Sequence, residues 1–281
     1  MGKEQTQNKE ISFGLVADLQ YCDSAPLNNR YFGNAPEKLK KIIREFNQHK
    51  LDFVVNLGDS IDQEWESFDG ILPIFDELQV PAYHVLGNHD YEVADHYKPE
   101  VNERIGIEKQ YDFSMGNWRF IVLDGNEIST FANVEGTKNY EKAQQVLHEM
   151  EQQQKVNANF WNGGIGEQQL TWLNSTLEKA SKNQEKVVIF CHFPIFPEHR
   201  HNLLNDMQLI ALLGKYNCVK AWINGHNHDG NYGQKHSIHC INMKGLVETE
   251  EELAFAIVTL KDHYISIQGF GLEISANLFF K

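Results

Sequence analysis

Three short runs constrain this chain most: "SFGLVAD" (12–18), "DFVVNLGD" (52–59) and "AYHVLGNHD" (82–90). Each is apolar through its middle, is too short for a buried helix, and ends on polar residues. Between the first two lies "PEKLKKIIREFNQ", with Leu39, Ile42, Ile43 and Phe46 at helical spacing and Pro36 suited to a first turn. Between the second and third, "ESFDGILPIFDEL" brings Phe68, Leu72, Phe75 and Leu78 to one side, with Pro73 expected to bend it. The β-α-β-α-β order predicts a layered α/β fold with a largely parallel sheet.

The remainder continues in the same style. "YDFSMGNWRFIVLD" predicts two strands around a turn at Gly116-Asn117, and "GEQQLTWLNSTLEKA" an amphipathic helix through Leu170, Leu173 and Leu177. "EKVVIFCHFP" and "CVKAWINGHNH" read as strands, and "HSIHCINMKG", "ELAFAIVTL" and "HYISIQGF" predict an antiparallel half. Residues 128–163 are the least patterned, Gln- and Glu-rich, with a helix expected over 140–154. They are either a solvated helix or an insertion over a functional site. Without a linker or repeat, the chain reads as one domain over 11–281 with two packed sheets. Residues 1–10 read as a disordered or expression-derived tail.

Composition narrows the partners. The net charge is −14, from 39 acids and 25 bases, which disfavours nucleic acid and anionic membranes. An anionic substrate would then need a local reversal of the field, which bound divalent cations supply. Cys22, Cys191, Cys218 and Cys240 form no C-x-x-C pair and read as reduced thiols of a cytoplasmic protein. No apolar run approaches the ~20 residues of a membrane span, and the polar start does not read as a signal peptide. Gly2 and Thr6 match a myristoylation pattern only loosely, and that reading is set aside. A monomer is expected.

The polar strand ends carry the chemistry. They hold Asp18 and Gln20, Asp59 and Asp62, Asn88 and His89, His192, and His226 and His228. Ligand sites of open α/β sheets lie beyond the carboxyl ends of strands, so five strand ends would converge on one edge. Singly, each has an ordinary explanation: a turn, a helix cap, a core histidine. Jointly they make a donor set for hard or borderline divalent ions such as Mn²⁺, Mg²⁺, Fe²⁺ or Zn²⁺. Seven of them, Asp18, Gln20, Asp59, Asn88, His192, His226 and His228, exceed one zinc ion's four ligands and suit two ions sharing a carboxylate.

In order, Asp18/Gln20, "GDSID", "GNHD", His192 and "GHNH" make a set that resembles the calcineurin-like metallophosphoesterase family, over residues 11 to about 270. The resemblance implies a two-sheet α/β/β/α sandwich. It implies a first metal on Asp18, Gln20, Asp59 and His228, and a second on Asp59, Asn88, His192 and His226. It assigns His89 to the phosphoryl oxygen and the leaving group, and Asp62 to orienting a ligand histidine. The implied reaction is attack on phosphorus by a metal-bridging hydroxide.

Gln20 stands where most of the family has His. With "RYF", "FWNGG", "EQQLTWLN", "NQEKVVIFCHFPIFPE", "GHNHDGNYG" and "INMKGLVET", it makes the chain similar to the manganese-dependent ADP-ribose/CDP-alcohol diphosphatases. That similarity implies a small-molecule nucleotide substrate, cleaved at its diphosphate linkage. Arg30 and Tyr31, with His89, are the expected substrate contacts, and His199, Arg200 and His201 are candidates for the distal part. The loop "DSAPLNNR" departs from expectation, for it lacks an aromatic residue to hold a nucleobase. Two other readings stand beside this one. The first is a phosphodiesterase or phosphomonoesterase, for example on cyclic nucleotides. The second is a non-catalytic metal-binding scaffold.

Overall fold

The computed structural model describes residues 10–280. The first three apolar runs form β1 (Ile11–Val16), β2 (Phe53–Asn56) and β3 (Ala82–His84). They pair in parallel in the order β1-β2-β3. Between them lie α1 (Ala35–Phe46) and α2 (Ser67–Ile71). Pro73 has the expected effect: the α-helix ends at Ile71 and the chain continues as a 3₁₀ helix over Leu72–Glu77. A short α3 (Val101–Ile105) leads to the hairpin β4 (Tyr111–Met115) and β5 (Trp118–Val122), which turns at Gly116-Asn117.

The weakly patterned segment holds α4 (Lys138–Gln152), capped by the Thr137 hydroxyl. Then follow α5 (Glu167–Lys182), β6 (Lys186–Phe190), α6 (Asp206–Leu213), β7 (Val219–Asn224), β8 (Asn231–Lys235) and β9 (Ile238–Asn242). The chain closes with β10 (Ala254–Leu260), β11 (Tyr264–Gly271) and β12 (Ala276–Phe279). Two six-stranded mixed sheets result, ordered β12-β11-β10-β1-β2-β3 and β4-β5-β6-β7-β9-β8.

The expected antiparallel half needs correcting. β10 and β11 are antiparallel partners in the first sheet, but β9 lies in the second, parallel to β7. The hairpin from β8 delivers β9 to β7, and only then does the chain cross to the other sheet. A period-2 pattern specifies which face is buried and not which neighbour is chosen.

The sheets face each other across a core of aromatic rings. Phe13 of β1 stacks on Phe53 of β2 at 4.8 Å, and Phe120 of β5 meets Phe53 edge-on at 5.0 Å. Each such ring, removed from water, contributes on the order of 1.5–3 kcal/mol. Leu39, Ile42, Ile43 and Phe46 of α1 cover the outer face of the first sheet. Leu173 and Leu177 of α5, with Leu209 and Leu213 of α6, cover the second. The layering is α/β/β/α. β1, β2, β6 and β7 end at one edge of this stack, where their following residues meet.

Candidate metal centre

Asp18 follows β1, Asp59 follows β2, His192 follows β6, and His226 and His228 follow β7. The structure gathers them. His192 Nε2 lies 3.2 Å from Asp59 Oδ2 and 3.9 Å from Asp18 Oδ1, and His228 Nε2 lies 3.3 Å from Asp18 Oδ1. Two clusters emerge, Asp18/Asp59/His228 and Asp59/His192/His226, each with its donor atoms within 4.8 Å of one another. Asp59 belongs to both. Gln20 is buried with its amide against Asp59, and Asn88, also buried, immediately precedes His89, whose N–H donates to Asp59 Oδ1.

The backbone is bent to achieve this. Asp18, Gln20, Asp59 and His226 all have positive φ, at 54°, 44°, 54° and 68°. A non-glycine residue held there costs on the order of 1–3 kcal/mol, and such strain collects at functional sites. Cross-links hold it: Asp18 N–H donates to the Gly58 carbonyl, Gln20 N–H to the Asp59 carbonyl, and His226 N–H to the Asp18 carboxylate. Asp90 fastens the Asp59 turn, accepting from the backbone N–H of Gly87, Asp59 and Ser60 at 2.8–3.1 Å.

Each candidate ligand histidine has one ring nitrogen tied down. His192 Nδ1–H donates to the Leu57 carbonyl at 2.8 Å, His226 Nε2–H to Asn162 Oδ1 at 3.0 Å, and His228 Nδ1–H to Glu248 Oε1 at 2.5 Å. Such bonds fix ring orientation and turn the opposite lone pair inward. The centre is also short of positive charge. Burial opposes protonation of His192 and His228, yet Asp59 and Asp18 overcome it and raise both to about 9. His226, more remote from these carboxylates, is pushed well down by burial and by His192.

Divalent cations fit these residues. Two buried oxygens lack a hydrogen-bond partner here, Gln20 Oε1 and Asn88 Oδ1, and His192 Nε2 faces the Asp59 carboxylate at 3.2 Å. Leaving the two oxygens unpaired costs about 1–3 kcal/mol each, and all three atoms can donate a lone pair to a hard or borderline cation. Gln20 presents its amide nitrogen to Asp59 Oδ2 at 3.2 Å and His228 Nε2 at 3.3 Å. A half-turn of the terminal amide exchanges that nitrogen for the orphaned oxygen.

The other expected residues fall out as follows. His89 N–H donates to Asp59 Oδ1 at 2.9 Å, while its Nδ1 lies 3.1 Å from the Asp62 carbonyl and 3.4 Å from the Asp62 carboxylate. Asp62 therefore orients His89, not one of the ligand histidines. Burial raises the Asp62 carboxyl, partly offset by His89. Arg30 lies 3.6 Å from Glu248, on the His228 side, and Tyr31 N–H donates to the Val247 carbonyl. His201 sits on the other side, its ring 5.3 Å from His226 and 5.0 Å from His199. Arg200 lies over Trp161 at 5.0 Å, and its carbonyl accepts from Asn162. Glu248, Asn162 and Asp90 were not singled out from sequence. Each lies within a stretch quoted above, but nothing in its spacing marks it.

Residues 11–230 match the family model for calcineurin-like phosphoesterases. The chain is 27% identical to the bovine protein named manganese-dependent ADP-ribose/CDP-alcohol diphosphatase, over 95% of this chain and 93% of that one. It is 28% identical to the Arabidopsis thaliana protein of the same name, over 92% and 94%. A solved dimetal phosphatase from Danio rerio superposes with a TM-score of 0.87 at 25% identity, covering 96% of this chain and 99% of that one. The match to the family model spans most of the chain, and the protein belongs to the calcineurin-like phosphoesterases, metal-dependent hydrolases of phosphoric esters.

Proposed function

We propose that this chain hydrolyses the diphosphate linkage of nucleoside diphosphate compounds such as ADP-ribose and CDP-alcohols, using two divalent cations, Mn²⁺ favoured over Mg²⁺, Fe²⁺ or Zn²⁺. The observation that carries the reading is Asp59 shared by two donor clusters, with the oxygens of Gln20 and Asn88 orphaned beside them. Asp18, Gln20, Asp59 and His228 would hold one cation, and Asp59, Asn88, His192 and His226 the other. When bound, such a pair supplies Lewis-acid activation of water and neutralises phosphoryl charge. An amide oxygen where an imidazole could stand shifts the donor set toward Mn²⁺ or Mg²⁺. The likeness to the named diphosphatases over nearly the whole chain supports the choice of substrate.

The chain's own residues have distinct tasks. Asp62 holds His89 Nδ1, which leaves Nε2 to meet a phosphoryl or leaving-group oxygen. The leaving group of a diphosphate is itself a phosphate, so little proton donation is needed. Asp90 and the strained turns keep both carboxylates in place while charge moves to the departing oxygen. A panel of ADP-ribose, CDP-choline, cyclic AMP and AMP, each with Mn²⁺ or Mg²⁺, tests the reading. Turnover of ADP-ribose or CDP-choline to a nucleoside monophosphate with Mn²⁺ is expected. Preference for cyclic AMP would replace it with a phosphodiesterase, and inertness toward the whole panel with a non-catalytic scaffold.

A further inference from the structure

A buried lysine stands behind the metal centre. Lys38 lies on α1 and is 2% exposed. Its ammonium donates to the Leu246 carbonyl, to the Thr249 carbonyl at 2.7 Å and to the Thr249 hydroxyl at 3.3 Å. All three acceptors are neutral, and among the described residues no carboxylate contacts this buried ammonium, which is a costly arrangement. The two carbonyls straddle Glu248, whose carboxylate holds His228 Nδ1.

The rest of this turn is pinned from the other side. Leu246 N–H donates to the Ala17 carbonyl and Val247 N–H to the Asp18 carbonyl, both at 3.1 Å. Gly245 passes so close to His228 that a Cβ there would lie 2.7 Å from the ring. The His228 imidazole is thus enclosed between Gly245 and Glu248. Arg30 touches the same carboxylate, but at 3.6 Å and from a side chain 40% exposed. The carbonyl end of the turn is held by Lys38.

The geometry points to Lys38 as a positioning residue: through the 246–249 turn it aims Glu248, and through Glu248 it sets the His228 imidazole toward the first metal position. This rests on the metal-centre reading above. Lys38→Met keeps the aliphatic stem but leaves the Leu246 and Thr249 carbonyls without their donor, so Tm is followed beside binding.

The test compares Lys38→Met, Glu248→Ala, Glu248→Gln and the double variant Lys38→Met/Glu248→Ala. Metal-free protein is titrated with Mn²⁺ by calorimetry, with Tm measured alongside. Lys38→Met and Glu248→Ala should each weaken one of the two Mn²⁺ sites ~10–100-fold, as loss of a partner behind a ligand histidine does. The double variant should be no weaker than Glu248→Ala alone, because both act along one path. Glu248→Gln, which keeps an acceptor oxygen, should restore most of the affinity. Wild-type affinity in Lys38→Met, or additive losses in the double variant, would overturn the proposal. Proton NMR of the metal-free protein decides it separately. The short His228–Glu248 bond should give a far-downfield Nδ1–H signal that Lys38→Met and Glu248→Ala abolish. If wild type binds no Mn²⁺, the metal reading fails, and persistence of that signal in Lys38→Met still decides against Lys38.

Discussion

Gly87 carries no side chain where Asp59 needs the room. A Cβ at position 87 would lie 2.0 Å from Asp59 Oδ1 and 2.4 Å from Asp59 N. Gly225 stands in the same relation to Asp18 Oδ2, at 2.6 Å. Gly87→Ala should therefore displace the shared carboxylate, and misplacing a reacting group by about 1 Å costs ~10²-fold in rate. Steady-state kcat/KM on an activated aryl phosphate with Mn²⁺ measures this, and near-wild-type turnover would contradict it. Gln20 makes a second residue-scale prediction. Gln20→His replaces an oxygen donor with imidazole and should broaden the usable metals toward Zn²⁺. An unchanged ranking across Mn²⁺, Mg²⁺ and Zn²⁺ would show that the amide has no part in selection. The metal-centre residues were legible because their types are unusual together at strand ends. Glu248 and Asn162 were not, because they act through loops that have no period to read.

At the scale of elements, strand ends proved informative but not sufficient. β5 also runs into an acid, Asp124, yet that carboxylate joins neither cluster. It accepts from Asn126 N–H and the Asn126 amide, both at 2.9 Å, while Asn126 also donates to the Leu86 carbonyl beside the "GNHD" turn. Asp124 thus links the second sheet to a turn of the first. Burial raises its carboxyl to about 6, with the Asn126 bonds opposing. A carboxyl raised in the folded state gives stability that is complete below its unfolded value and lost as pH rises through about 6. Asp124→Asn keeps an acceptor oxygen and removes that loss. It should stabilise the protein at pH ~8 by up to about 3 kcal/mol, with the gain fading toward pH ~4. Thermal melts across that range check it, and a variant less stable than wild type at the alkaline end would contradict it. The helix expected over 140–154 begins two residues early, at Lys138, where Thr137 caps it. The β9 placement was illegible because burial alternation does not encode the partner strand.

The whole molecule resolves an apparent conflict of charge. A chain with net charge −14 is a poor host for a phosphorylated substrate, and its carboxylates deepen that at the centre. The fold answers by gathering the ends of two sheets, so that two acids share three imidazoles and two amides in a space where cations fit. The layering followed from the order of apolar runs, and α1 and α5 were readable from their spacing, whereas the short α6 over Asp206–Leu213 was not. Among the described residues, no helix is long and apolar enough to cross a membrane. The remote likeness to the curated diphosphatases is global and not confined to the metal motifs, since it covers over nine-tenths of this chain. Asp59 is proposed to join two cations into one centre, and titration of metal-free wild type and Asp59→Asn with Mn²⁺ bears on this without any substrate. Two ions per wild-type chain are expected, with weakening of both in the variant and loss of phosphoesterase activity. A single ion in wild type, or an Asp59→Asn variant that still binds two with wild-type affinity, would contradict it.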